Sequence, residues 1–129
     1  MDTRSTIVVK LPECMTGKTV RSIKRQIKPG LSLDHPYVII DMSNVRQMDT
    51  AALDMLLHCM VEVARHDGEL KLAGLSPEAA TVLELTRMDR IFEIFPNVPE
   101  AVTSFGLELP QIELIPETAE VSPQQIAAA

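Results

Sequence analysis

The chain has 129 residues, a net charge of −6 at pH 7 and 46% apolar residues, with no Trp and two Cys. This length supports one domain with a single core, and the two cysteines are too few and too far apart for a disulfide scaffold or a zinc ribbon. No apolar run of about 18 residues predicts a membrane span, and no signal-peptide pattern opens the chain, so we expect a cytoplasmic protein.

The first part of the chain is predicted to form a strand and a basic amphipathic helix. Residues 5–11 show the alternation of polar and apolar side chains and the β-branched residues that are typical of a strand, and residues 12–15 are predicted to form a turn. A helix then begins at Thr16 or Thr19 and ends at Pro29-Gly30. We expect its basic face to be solvated, and contact with an acidic partner or membrane surface is the alternative. That face consists of Lys18, Arg21, Lys24, Arg25 and Lys28.

A strand and a long helix follow, joined by polar residues. Residues 37–41 are a β-branched run typical of a buried strand. Asp49 is a good N-cap, so Thr50 becomes the first helical residue, and from the residues alone Thr50 is a second capping residue. The polar side chains of the helix follow Thr50 along one stripe, which predicts that the helix is buried on most other sides. These polar residues are Asp54, His58, Glu62 and Arg65.

The remainder alternates again between strands and helices. Strands are predicted at 69–73 and 91–95, with helices from Ser76-Pro77 to near Arg87 and at 98–105. This alternation predicts an α/β domain, a mixed and largely parallel sheet of about four strands with about four helices. We place the domain at residues 1–106.

Residues 107–129 are predicted to be an acidic, flexible tail that contains proline. They include four Glu and no Lys or Arg. The alternative is that the tail packs locally through its apolar residues. These residues are Leu107, Leu109, Ile112, Leu114 and Ile115.

No pattern of residues indicates catalysis or a cofactor. The chain has no Gly-rich phosphate loop and no nucleophile elbow. His58 and His66 would lie roughly 12 Å apart on one straight helix, too far to share a metal ion. Asp54 and His58 are four positions apart and could act as an acid–base pair. We expect instead that they form an ordinary contact on the helix surface. We therefore predict a protein that is not an enzyme and holds no metal.

Two short segments resemble the signature of the STAS domains (sulphate transporter and anti-sigma factor antagonist). They are Ile39-Ile40-Asp41-Met42-Ser43-Asn44-Val45 and Met48-Asp49-Thr50-Ala51-Ala52-Leu53. In that family a strand that ends in Asp, an apolar residue and Ser leads to Asp-Ser-Ser-Gly-Leu or Asp-Thr-Ala-Gly-Leu at a helix start. The likeness covers about residues 5–105. Here Thr50 stands where Ser is commoner, and Ala52 stands where the family usually has Gly.

The resemblance implies an anti-sigma factor antagonist, a module that sequesters an anti-sigma serine/threonine kinase and is switched by phosphorylation. It makes Thr50 the phosphorylated residue. The alternative is a non-catalytic STAS subunit of a stress-signalling assembly or of a lipid-transport ABC complex. Nucleic acid is not expected to bind directly, whereas oligomerisation and a nucleotide or lipid ligand are left open. The predicted partner-binding residues are Asp41, Ser43, Asn44, Arg46, Asp49, Thr50, Ala51, Asp54 and His58.

Overall fold

Strands and helices alternate along the described part of the chain, as the sequence predicts. The computed structural model describes residues 6–105 and the backbone of the strand at 112–115. The elements, in chain order, are β1 (Thr6–Lys10), β2 (Cys14–Met15), α1 (Gly17–Leu31), β3 (Tyr37–Asp41), β4 (Gln47–Met48), α2 (Thr50–Arg65), β5 (Glu69–Ala73), α3 (Pro77–Leu85), a 3₁₀ turn (Met88–Arg90), β6 (Glu93–Phe95), α4 (Val98–Ser104) and β7 (Ile112–Ile115).

Five of the strands described form one parallel sheet in the order β6-β5-β3-β1-β7. The central strand, β3, carries Val38, Ile39 and Ile40, none of which exposes any surface. A parallel sheet is covered on both faces, which explains why β3 is continuously apolar. The short strands β2 and β4 form a separate parallel pair. The prediction of an α/β fold with a largely parallel sheet is confirmed.

Helices cover both faces of this sheet. The main core joins one face to α1, α2 and α3 through residues such as Ile23, Leu56 and Leu83. On the other face Ala101 and Val102 of α4 pack against Ile39. The crossovers through α1, α2 and α3 each move the chain in the same direction across the sheet, from β1 towards β6. The crossover through α4 returns in the opposite direction to β7. If every crossover is right-handed, α4 must therefore lie on the opposite face from the other three helices. Among the described helices, none combines the length and apolar character that a membrane crossing requires.

Three local predictions differ from the structure. Residues 12–15 contain β2 as well as a turn, because two extended loop segments pair through their backbones without any hydrophobic periodicity. The helix α1 does not end at Pro29-Gly30 but continues to Leu31, which is 2% exposed. A proline in the last turn removes one backbone hydrogen bond, and burial of the leucine offsets that loss. The predicted strand at 91–95 is confined to β6, and a 3₁₀ turn precedes it.

Burial of α2 is narrower than predicted. Besides the fully buried residues, Leu53, Leu57 and Met60 are half-buried and pack against the main core. The prediction that α2 is buried on most sides is therefore wrong only at Val61 and Ala64, which are exposed. Val61 is 53% exposed. The buried residues of α2 are Ala52, Met55, Leu56, Cys59 and Val63.

The strand β7 adds a fifth strand to the sheet, where about four were predicted. Its backbone pairs with β1 from Thr6 opposite Ile112 to Val9 opposite Ile115. These four residues belong to the segment predicted to be a flexible tail, and they lie beside β1. The remainder of that tail, 107–111 and 116–129, lies outside the described residues, so its predicted flexibility stays a prediction.

Candidate functional site

The candidate site is built around Asp49, where β4 gives way to α2. The Asp49 backbone N–H donates to the Met15 carbonyl at 3.3 Å, which fixes the residue against β2. One carboxylate oxygen, Oδ1, accepts from the Ala52 N–H at 3.3 Å, and the predicted N-cap is therefore confirmed. The other oxygen, Oδ2, accepts from the Gly17 N–H at 3.5 Å. A single carboxylate thus faces the first residues of both α1 and α2.

Thr50 follows as the first residue of α2, and its side chain is exposed. Its hydroxyl forms no hydrogen bond within the described part of the molecule. Asp54 and His58 continue the same exposed stripe, one and two helical turns further along. The prediction that Thr50 lies on the wet side of the helix is confirmed. A hydroxyl without an internal partner is open to a binding protein or to a modifying enzyme.

The loop between β3 and β4 forms the second wall of the corner. Asp41 is half-buried and its Oδ1 accepts from the Ser43 N–H at 3.0 Å, which makes a tight turn at the end of β3. The N–H groups of Arg46 and Gln47 both donate to the Glu13 carbonyl, at 2.7 and 3.0 Å. These bonds hold the loop in place and leave the side chains of Ser43 and Arg46 exposed.

Gly74 follows β5 and lies beside Asp41, the last residue of β3. Its φ of +62° favours glycine, and an added Cβ would be in ordinary van der Waals contact with Asp41 Oδ1 at 3.4 Å. Asp41 and Gly74 therefore stand next to each other at the carboxyl ends of the neighbouring strands β3 and β5. Ligand and partner sites of parallel sheets commonly lie at such an edge.

The predicted partner-binding residues do not all lie at this corner. Asp41, Ser43, Asn44, Arg46, Asp49 and Thr50 belong to the two segments that meet there, although Asn44 is half-buried. His58 lies about 12 Å along α2 from Thr50, so it marks the far end of any contact surface. Ala51 is half-buried.

Ala52 replaces the usual glycine of the signature without changing the surface. It is 1% exposed and belongs to the main core. Its methyl group therefore packs inward and adds no bulk where a partner would dock.

Two features of this surface were not predicted. The contact between Gly17 and Asp49 joins residues 32 positions apart, and no local pattern predicts such a contact. Beyond His58, the exposed Val61 adds apolar area to the outer side of α2. The signal for an exposed apolar residue here was the excess of apolar residues in α2 over what its buried side requires.

The polar residues further along α2 pair among themselves. Glu62 contacts Arg65 at 3.7 Å and His66 at 3.4 Å. The predicted surface contact between Asp54 and His58 is not formed in the described structure. Cys59 lies in the core, and burial raises the pKa of its thiol to about 12, with the charge of Lys24 acting in the opposite direction. This thiol is therefore not a nucleophile at neutral pH.

Comparison with known proteins identifies a family model, and the solved structures of similar fold include one from Planctomyces limnophilus and one from Thermotoga maritima. A family model described as the STAS domain matches residues 2–101. An anti-sigma-factor antagonist (STAS) domain protein from Planctomyces limnophilus is 18% identical, with a TM-score of 0.68 over 78% of this chain and 90% of that one. A candidate anti-sigma factor antagonist from Thermotoga maritima is 20% identical, with a TM-score of 0.63 over 78% and 88%. At these identities the two structures show a shared fold.

Proposed function

The chain belongs to the STAS domain family, and we propose that it is an anti-sigma factor antagonist that acts in the cytoplasm. In this role it binds and sequesters an anti-sigma serine/threonine kinase, and phosphorylation of Thr50 releases that partner. The exposed Thr50 hydroxyl at the start of α2 is the observation that carries the proposal. The names of the two similar structures agree with it.

The structure of the corner supports a switch that leaves the fold intact. A phosphate would add nearly two negative charges and three acceptor oxygens at Thr50. The first turn of α2 has N–H groups without helical partners, and the helix dipole favours negative charge at this end. Because Thr50 is exposed, the phosphate also displaces no packed side chain. We therefore expect the phosphorylated protein to remain folded.

Release of the partner follows from charge and bulk on the same surface. Asp49 and Asp54 already make the neighbourhood of Thr50 acidic, and both are exposed. A partner docked against the hydroxyl would meet the phosphate directly, and its own groups would have to compensate the added charge. Arg46, exposed on the adjoining loop, offers partial compensation within this chain. The chain takes part by binding alone, and the kinase supplies the ATP site.

The test is phosphorylation by a serine/threonine kinase of the anti-sigma class from the same organism, with ATP and mass spectrometry of the intact protein. We expect one phosphate on the wild type and none on Thr50→Ala. The matched control is Thr81→Ala, which removes an exposed threonine from α3 and should leave the phosphorylation unchanged.

Two outcomes would contradict the proposal. Phosphate that persists on Thr50→Ala would show that another residue is modified. A stable complex with an ABC ATPase, unaffected by ATP-dependent modification, would favour the alternative role as a non-catalytic STAS subunit.

A further inference from the structure

A groove between α1 and α2 carries an unusual concentration of positive charge. It has a volume of about 540 Å³, and α1 contributes four of its cations. They stand at positions 21, 24, 25 and 28, so they follow one face of α1 over roughly 10 Å. The residues that line the groove are Arg21, Lys24, Arg25, Lys28, Leu31, His58 and Glu62.

The chain itself does not neutralise these cations. In the described structure none of the four forms an ion pair with a carboxylate. Glu62 is the one acid that lines the groove, and its carboxylate pairs with Arg65 and His66 instead. The chain as a whole has a net charge of −6. A concave cluster of cations on an otherwise acidic protein focuses a local positive potential and attracts anions.

The lining also limits the chemistry of the anion. Leu31 is the one aliphatic side chain of the lining, and the imidazole of His58 is its one aromatic ring. The remaining lining side chains all carry a formal charge at pH 7, so the groove favours a charged ligand over an apolar one. The volume falls within the range of small-ligand sites, and a concave groove fits a compact ligand better than a flat surface. The planar guanidinium group of arginine can donate two hydrogen bonds to phosphate oxygens, and the lysine ammonium groups attract the same anion as point charges.

We propose that this groove is a binding site for a compact polyanion that carries several phosphate groups. The groove adjoins the partner surface at His58, which lines the groove and lies about 12 Å along α2 from Thr50. It does not depend on phosphorylation of Thr50 or on the identity of the protein partner.

Inorganic tripolyphosphate is the probe, titrated into the full chain at low salt by calorimetry and by NMR. We expect saturable binding, with amide shifts concentrated in α1 and in residues 54–62 of α2. The variant Arg21→Gln/Arg25→Gln removes two lining cations and keeps good helix formers, so we expect the affinity to fall roughly tenfold or more. The control Lys10→Gln/Arg90→Gln removes two exposed cations outside the groove and should leave the affinity within about twofold.

A third variant tests the sign of the groove potential. Glu62→Gln removes the negative charge from the lining, so binding should tighten severalfold. Circular dichroism of each variant establishes that it is folded before its affinity is compared.

Several results would overturn the proposal. One is the absence of saturable tripolyphosphate binding at low salt. Another is an equal loss of affinity in the groove variant and the control variant, and a third is a set of amide shifts centred on Thr50.

Sedimentation with vesicles of phosphatidylcholine and phosphatidylglycerol is carried out in parallel. Binding to these vesicles without binding to tripolyphosphate would assign the basic face to a membrane surface and contradict a compact site.

Discussion

Replacing Asp49 by alanine tests the geometry of the Thr50 corner most sharply. Its carboxylate caps α2 at 3.3 Å and faces the Gly17 N–H of α1 at 3.5 Å. Loss of an N-cap costs about 1 kcal/mol, and loss of a charge at helix N-termini costs about 0.5 kcal/mol more at an exposed site. We therefore expect Asp49→Ala to lower the free energy of unfolding by roughly 1.5 kcal/mol. For a domain of this size that corresponds to a fall in Tm of about 6–12 °C.

Thermal and urea unfolding, followed by circular dichroism, measure this change against two controls. Asp49→Asn keeps an acceptor at the cap and removes only the charge, so its cost should be about 0.5 kcal/mol. Asp54→Ala removes an exposed carboxylate one turn further along α2 and should cost less than about 0.5 kcal/mol. Equal stabilities of Asp49→Ala and Asp54→Ala would refute the inference that Asp49 joins the two helix starts.

Two further predictions concern the core and the turn that follows α2. An added Cβ at Gly68 would lie 2.0 Å from the Pro36 carbonyl oxygen, so Gly68→Ala should lower the free energy of unfolding by about 3 kcal/mol in urea. The control is Gly17→Ala, whose Cβ meets nothing within 4 Å, and it should change the free energy of unfolding by less than about 1 kcal/mol. Similar losses of stability in the two variants would contradict the close approach of Gly68 to Pro36. Iodoacetamide at neutral pH should modify the exposed Cys14 and spare Cys59, whose thiol has a pKa raised by burial to about 12. Mass spectrometry of the native and the unfolded protein checks this, and rapid native labelling of Cys59 would show that the core opens.

The sequence predicts the fold well where a pattern is local and strong. The apolar run of β3 and the capping of α2 by Asp49 both follow from residues close in sequence, and both are observed. The exposed stripe that begins at Thr50 also follows from local sequence, because its polar residues are three or four positions apart and helix periodicity depends on geometry alone.

Features that depend on tertiary contacts could not be predicted in this way. The pairing of β2 with β4 and the contact of Gly17 with Asp49 join distant segments through backbone groups. The continuation of α1 to Leu31 contradicts the local signal of Pro29-Gly30, because burial of Leu31 outweighs it. The prediction that α2 is buried outside its polar stripe fails at the exposed Val61, since the sequence does not reveal which neighbours cover a helix.

The measurement that tests the central claim most directly is the affinity of the anti-sigma kinase for unmodified protein and for protein phosphorylated on Thr50. Thermal unfolding of both forms is recorded in parallel. The account predicts at least about a hundredfold weaker binding after phosphorylation, with the Tm nearly unchanged, because charge is added to an exposed helix start. Equal affinities, or a loss of binding that accompanies unfolding, would contradict it.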